Sequence, residues 1–294
     1  AFGQLESAWP VCGSILVRDG IAYFVAGRCS FLDGGIVLYG LEPRTGRVVH
    51  RRRVYGPFHQ RSGFPATRNA GFRGDILVTD GTLLYARHKA FKPDLTDAAS
   101  PRPHVIPSAG FLSNTPQHRT YWTINTQFFG KTIVRGASGD ILVTDGEDFY
   151  EVRGFPTHRH SYFDPRVKGY RLLAGKVEDS VGPPRKGKRR KQKRGDGAAK
   201  WQTDIPLTGH AMVLAGDVVF IAGTPAYFPP DHPAEKYEAA YAGKLGGVLW
   251  AAAAEDGDKL AAYKLAAAPA WDGMAAADGG LFISLRNGAV ECWR

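Results

Sequence analysis

Two histidines in alternation, His158 and His160, with Asp164 shortly after, are the side chains of this sequence that come nearest to a metal-ligand set. On an extended segment both imidazoles point to one face, and with a carboxylate they can hold zinc. No second cluster fixes a coordination geometry, so a solvated loop is the competing reading. A denser group is His118-Arg119-Thr120-Tyr121-Trp122. It suits recognition of something specific, or an Arg119 guanidinium stacked on Trp122 to hold a sheet edge. Nucleophilic chemistry finds less support. Gly136-Ala137-Ser138-Gly139-Asp140 misses the nucleophile elbow because Asp140 replaces the last glycine. No glycine-rich loop ends in Lys-Ser or Lys-Thr, so there is no phosphate cradle. Cys12, Cys29 and Cys292 have neither metal-ligand nor framework spacing and read as small buried strand residues, with one pair open to an oxidising compartment.

The elements that must position such residues announce themselves by repetition. Gly74-Asp75-Ile76-Leu77-Val78-Thr79-Asp80-Gly81 returns unchanged at Gly139 to Gly146, and an aromatic residue follows each copy, Tyr85 and Tyr150. An apolar run entering Asp-Gly predicts a β-hairpin with a two-residue I′ loop. Looser copies are Ser14 to Gly20, Ala211 to Asp217 and Met274 to Gly279, followed by Tyr23-Phe24, Phe220 and Phe282. Five hairpins recur at roughly 60 to 70 residues, longer than the 40 to 50 of a typical propeller blade, which implies insertions. In the first unit Ile15 to Val25, Gly35 to Leu41 and Arg47 to His50 give four antiparallel strands in succession, a meander whose natural assembly is radial.

Composition narrows the classes. The 44% hydrophobic content over 294 residues suits a large packed core, and no apolar run is long enough to span a membrane. No charged, apolar and small-residue succession opens the chain, so no signal peptide is visible in it. Of the net charge of +10, eight cations fall between Arg185 and Arg194, leaving +2 for the rest. That run, within an expected disordered basic loop over 182–200, is a solvated loop or a tether to a polyanion; a basic face across the whole domain is not expected. The stretches 88–107 and 224–243 read as inserted loops, the latter with a helical turn or two. The whole, 1–294, reads as one domain.

The stretch Gly35 to Gly46, close to G-x-L-Y-A-L-D-x-x-T-G, resembles the blade signature of PQQ-like β-propellers, and Gly247-Val248-Leu249-Trp250-Ala251 with Glu255-Asp256-Gly257 repeats it. Glu6 to Pro10, Ser30 to Gly35, Gly110-Phe111-Leu112 with His118 to Trp122, and Trp271 to Met274 are similar to the C-terminal half of large PQQ-like repeat proteins of planctomycete-type bacteria. The resemblance covers essentially the whole chain. It implies an all-β propeller of four-stranded antiparallel blades, with about five blades of a seven- or eight-bladed whole and further repeats upstream. It also implies an extracytoplasmic setting, in the periplasm or cell envelope. One departure is that His50 and Ala261 stand where the family's blade-docking Trp belongs, which predicts weaker locking of those blades.

On such a scaffold Gly13, Gly74, Gly139, Gly209 and Gly273 precede the innermost strands, where glycine lets backbones approach. Trp9, Arg73, Asp75, Asp140, His210, Trp271 and Asp272 then ring one mouth of the channel, and His118, Arg119 and Trp122 join them as candidate ligand-binding residues. Hydrogen bonds that merely tie blades together are the competing reading of the ring. Quinoprotein dehydrogenases of this fold need adjacent cysteines and calcium ligands, which the sequence lacks, so neither PQQ nor calcium is expected and no catalytic residue is assigned. The function expected is a non-catalytic, monomeric scaffold presenting loops to a protein or glycan. The alternatives are a sugar or quinone site at the channel mouth, or the accessory part of a larger enzyme.

Overall fold

The computed structural model describes residues 5–11, 13–56, 76–87, 89–98, 102–107, 122–126, 137–154, 170–180, 199–226 and 233–294. Among the described residues the fold is nearly all β, with five antiparallel blades of β-propeller type beside a further short-stranded sheet and two helices. Two compact units, 1–134 and 135–294, are described in turn.

In the first unit the blade signature folds as expected. Strands β1 (Leu16–Arg18), β2 (Ile21–Ala26), β3 (Ile36–Leu41) and β4 (Val48–Val54) pair in sequence order. A three-stranded blade follows, with β5 (Leu77–Thr79), β6 (Leu84–Ala86) and β7 (Lys89–Phe91). Each sheet has an apolar face that it cannot cover alone. Tyr23, Leu38, Leu84 and Phe91, all 2% exposed or less, therefore meet in one core together with Leu95. Next come β8 (His104–Pro107) and β9 (Trp122–Asn125), an antiparallel pair. The stretch 88–107 is thus only partly loop: its apolar pieces, Lys89–Phe91 and His104–Pro107, extend and pair.

The second unit opens with the two-residue β10 (Ser138–Gly139) and holds three blades. The first comprises β11 (Ile141–Thr144), β12 (Asp148–Arg153), β13 (Tyr170–Lys176) and β14 (Ala199–Ile205), with the one-turn helix α1 (Val177–Ser180) between the last two. The second comprises β15 (Ala211–Ala215), β16 (Val218–Gly223), β17 (Gly247–Ala253) and β18 (Lys259–Leu265). Between β16 and β17 the expected loop includes the helical stretch the sequence foretold, α2 (Ala234–Tyr241). The third comprises β19 (Pro269–Ala277), β20 (Gly280–Leu285) and β21 (Val290–Trp293). The innermost strands β11, β15 and β19 lie side by side. Gly209, at the entry to β15, is one reason they can: a Cβ there would stand 2.8 Å from Ile141 Cγ2 and Val152 Cβ. Ala199 and Lys200, the tail of the expected basic loop, belong to β14.

All five hairpins form, but the loops differ: between Ala215 and Val218 the two loop residues turn with Gly216 alone left-handed, at φ 58°. Arg18 pairs with Ile21 across Asp19 (φ 48°) and Gly20 (φ 75°), and Ala277 pairs with Gly280 across Asp278 (φ 49°) and Gly279 (φ 72°). Both are the predicted I′ loops, with both central residues left-handed. In the two identical copies, by contrast, Thr79 pairs with Leu84 and Thr144 with Phe149, so four residues intervene. The two-residue expectation fails there because side chains take over the turn. Asp80 Oδ1 accepts from the Thr82 and Leu83 amides at 2.8 and 2.7 Å, and Asp145 Oδ1 accepts from Glu147 and Asp148 at 2.9 and 2.7 Å. Asp side chains mimic backbone turns in this way. Thr79 and Thr144 complete each loop by accepting from the Gly81 and Gly146 amides at 3.1 and 2.9 Å.

Candidate functional site

The entry ends of β11, β15 and β19 bring together four of the residues singled out from the sequence. Asp140 stands just before β11, where its amide donates to the Val152 carbonyl at 2.7 Å and its Oδ2 accepts from the Gly154 amide at 3.0 Å. His210 stands just before β15, with its amide on the Ala222 carbonyl at 3.0 Å. Its own carbonyl accepts from the Asp272 amide at 2.8 Å, a direct link between neighbouring blades. Trp271 and Asp272 lie where β19 leaves its ladder: Pro269 pairs with Leu285 and Met274 with Ile283, so the intervening residues form a bulge. Bulges re-aim side chains, and Asp272 sits in this one at φ 55°. Burial, with the Arg286 guanidinium adding to it, pulls the His210 imidazole down to about 4. It is therefore neutral at physiological pH, with one ring N–H donor and one acceptor.

The other candidates fall elsewhere. Trp9 belongs to the first unit and is 44% exposed, beside Pro10, whose carbonyl accepts from the Gly27 amide at 2.9 Å. Trp122 is 6% exposed, an interior residue of β9. Arg73, Asp75, His118 and Arg119 lie outside the described residues, as do His158, His160, Asp164, Cys12 and the run from Arg185 to Arg194. Among the described residues no three His, Cys, Asp or Glu side chains are grouped so as to hold a metal ion. Cys29 is a buried free thiol and Cys292 an exposed one.

Sequence reasoning missed a second polar cluster, in the first unit. Tyr85, fully buried, donates its hydroxyl to Asp80 Oδ2 at 2.7 Å, and its ring stacks on His104 with centroids 3.7 Å apart. The His104 Nδ1 and Nε2 atoms lie 2.6 Å from the carbonyls of Arg102 and Arg87. Burial pulls His104 below its ordinary range, against these two carbonyls, which favour the proton. For Tyr85, burial and the Asp80 carboxylate push the phenol up to about 12. Burial alone would raise Asp80, but hydrogen bonds from Leu83, Tyr85 and Thr82 prevail and hold it below the usual carboxylate range. The Asp80 to Tyr85 spacing recurs at Asp145 and Tyr150, and that recurrence was the one available signal.

Trp201 was missed as well. From β14 it donates Nε1–H to the Ala254 carbonyl at 3.0 Å, lies 6.0 Å from the Tyr150 ring, and covers Gly257 so closely that a Cβ there would be 2.5 Å from the indole. This is a blade-docking indole. The spacing from Gly197 to Trp201 matches that from Gly46 to His50 and from Gly257 to Ala261.

No protein-family model matches the chain, and no curated protein does. Among solved structures it is similar to a quinohemoprotein alcohol dehydrogenase from Pseudomonas putida, at 12% identity and a TM-score of 0.30. The match covers 98% of this chain and 41% of that one, so the chain spans about two fifths of its length. Among the described residues no helix is long and apolar enough to cross a membrane.

Proposed function

We propose that this chain is a blade-bearing part of a PQQ-like repeat protein and serves as a non-catalytic scaffold, presenting loops and inner-strand ends to a protein or glycan partner. The observation that carries this reading is how the polar groups of the candidate edge are used. The Asp140 carboxylate accepts from the Gly154 amide and the Asp272 backbone amide donates to the His210 carbonyl, so the edge is engaged in joining strands and blades. A catalytic set needs a general acid or base within reach of a reacting atom. Here the Asp140 carboxylate is bonded to the backbone amide of Gly154. The reading has no redox step and calls for no quinone.

A second reading, a small-ligand site for a sugar or quinone at this edge, is favoured by the bulge that holds Asp272 left-handed. Titration with PQQ and calcium, followed by tryptophan fluorescence, separates the two. The scaffold reading expects no saturable change, and saturable quenching would replace it with the quinone pocket.

A further inference from the structure

The turn between β17 and β18 has a second copy between β3 and β4, and only one of the two is covered. In the blade of β15 to β18 the Ala253 amide donates to the Asp258 carbonyl and the Gly257 amide to the Ala253 carbonyl, both at 2.9 Å. In the blade of β1 to β4 the Glu42 amide donates to the Arg47 carbonyl and the Gly46 amide to the Glu42 carbonyl, again both at 2.9 Å. Each glycine is left-handed, Gly257 at φ 80° and Gly46 at φ 71°. The two backbones match bond for bond, but their surroundings do not. Trp201 lies over Gly257 and donates to the Ala254 carbonyl, and both residues beneath it are buried. Over Gly46 a Cβ would meet nothing within 4 Å, and Pro43, which corresponds to Ala254, is exposed.

The sheet faces beside these turns differ in the same way. Leu16 pairs with Tyr23 and Tyr23 with Gly40, as Val213 pairs with Phe220 and Phe220 with Ala251. That register matches Ile15 with Met212, Ala22 with Val219 and Phe24 with Ile221. Met212 is 5% exposed and Val219 and Ile221 are fully buried, whereas Ile15 is 61% exposed, Val17 64%, and Ala22 and Phe24 are only half-buried. Arg51 stands on the same side, its guanidinium 5.9 Å from the Tyr39 ring, and meets no carboxylate among the described residues. Arg52, on the opposite side of β4, meets Asp97 at 2.8 Å.

We infer that the side of the first blade carrying Ile15, Val17, Phe24, Tyr39 and Arg51 is the docking face for a further blade of the same polypeptide, which seats an indole on Gly46 with its N–H on the Pro43 carbonyl. The inference rests on the repeat-protein reading above and adds the face, the contact and the chemistry of what covers it. The socket is shaped for an aromatic plane, because its filled copy holds one. The apolar side needs a second sheet, since a sheet cannot hide both of its faces by itself. Arg51 calls for a carboxylate on that sheet, as Asp97 answers Arg52, because charges across an interface are arranged to complement one another. A small molecule in the socket would leave Ile15 and Val17 in water.

Thiol labelling tests the docking face. Pro43→Cys and, as control, Ala254→Cys are made in a background where Cys12 and Cys292 are replaced by serine. In the 294-residue chain the thiol introduced at position 43 should react with a maleimide at least about tenfold faster than the one at 254, and Trp201→Ala should abolish the difference. In the polypeptide that includes the preceding blade, labelling at position 43 should slow to the rate seen at 254, and alanine in place of the docking tryptophan should restore it. Hydroxyl-radical footprinting of Ile15 and Val17 reads the same cover with no substitution. Equal labelling and footprints with and without residues upstream of Ala1, or a coding sequence that opens at the first blade, overturn the inference. Protection that fades on dilution assigns the cover to a second molecule and overturns the same-chain source. A saturable PQQ response would replace the scaffold reading and leave these rates unchanged, so the two failures are told apart.

Discussion

Trp201 shows how much of a blade contact can rest on one side chain. Its indole covers Gly257, reaches Tyr150 and hydrogen-bonds Ala254. Trp201→Ala removes all three interactions and should cost about 3 kcal/mol, read as a lower urea midpoint with m unchanged. At the equivalent position in the first blade stands His50, and there the contact with the neighbouring blade joins a shared apolar core to two polar links, Tyr23 to the Pro93 carbonyl at 3.0 Å and Arg52 to Asp97 at 2.8 Å. His210 makes a second residue-level prediction. Its folded value of about 4 lies below the ordinary 6.5, so its contribution to stability is complete above pH 6.5 and is lost as pH falls toward 4. The loss is on the order of 3 kcal/mol. His104 is shifted in the same direction and adds to the acid sensitivity. Unfolding midpoints at neutral pH and near the folded value should therefore differ less in His210→Gln than in the wild type.

At the scale of elements, the hairpins were legible because everything that makes them is local: an apolar run, an Asp-Gly or Gly-Asp pair, an aromatic residue beyond. Whether a loop has two residues or four was not legible, since that depends on whether Thr79 and Asp80 turn their oxygens onto the backbone. The identical loops allow a paired comparison. Asp145→Ala removes two amide acceptors and should cost about 1 to 2 kcal/mol. Asp80→Ala removes the same two and also the acceptor for the buried Tyr85 hydroxyl, so it should cost about 1 kcal/mol more. Equal losses in denaturant titrations would refute the buried Asp80–Tyr85 bond. The β19 bulge was illegible for another reason. A bulge is a property of two strands, and Gly273 was its only trace in one of them. His104 was hidden because 88–107 has loop composition, and its partners, the Tyr85 ring and two carbonyls, are supplied by tertiary packing.

At the scale of the whole molecule, the chain divides its charge from its architecture. The blades come from apolar periodicity, whereas the excess of cations sits between Arg185 and Arg194, outside the described residues. Removing that run leaves +2, so its deletion should shift heparin elution to markedly lower salt while the thermal unfolding of the blades stays in place. Unchanged retention would assign the polyanion contact to the body instead. The same basic run hid Trp201 from sequence reasoning. The Gly197-to-Trp201 spacing follows directly on a stretch whose composition speaks only of solvation.

The matched loops at Asp80 and Asp145 bear on how the polypeptide finds its shape. Each is wired by its own neighbours' side chains, so each can close on the microsecond scale of a hairpin before any distant partner arrives. The molecule thus carries two equivalent seeds, one in each compact unit, and crippling either should leave the other free to begin collapse.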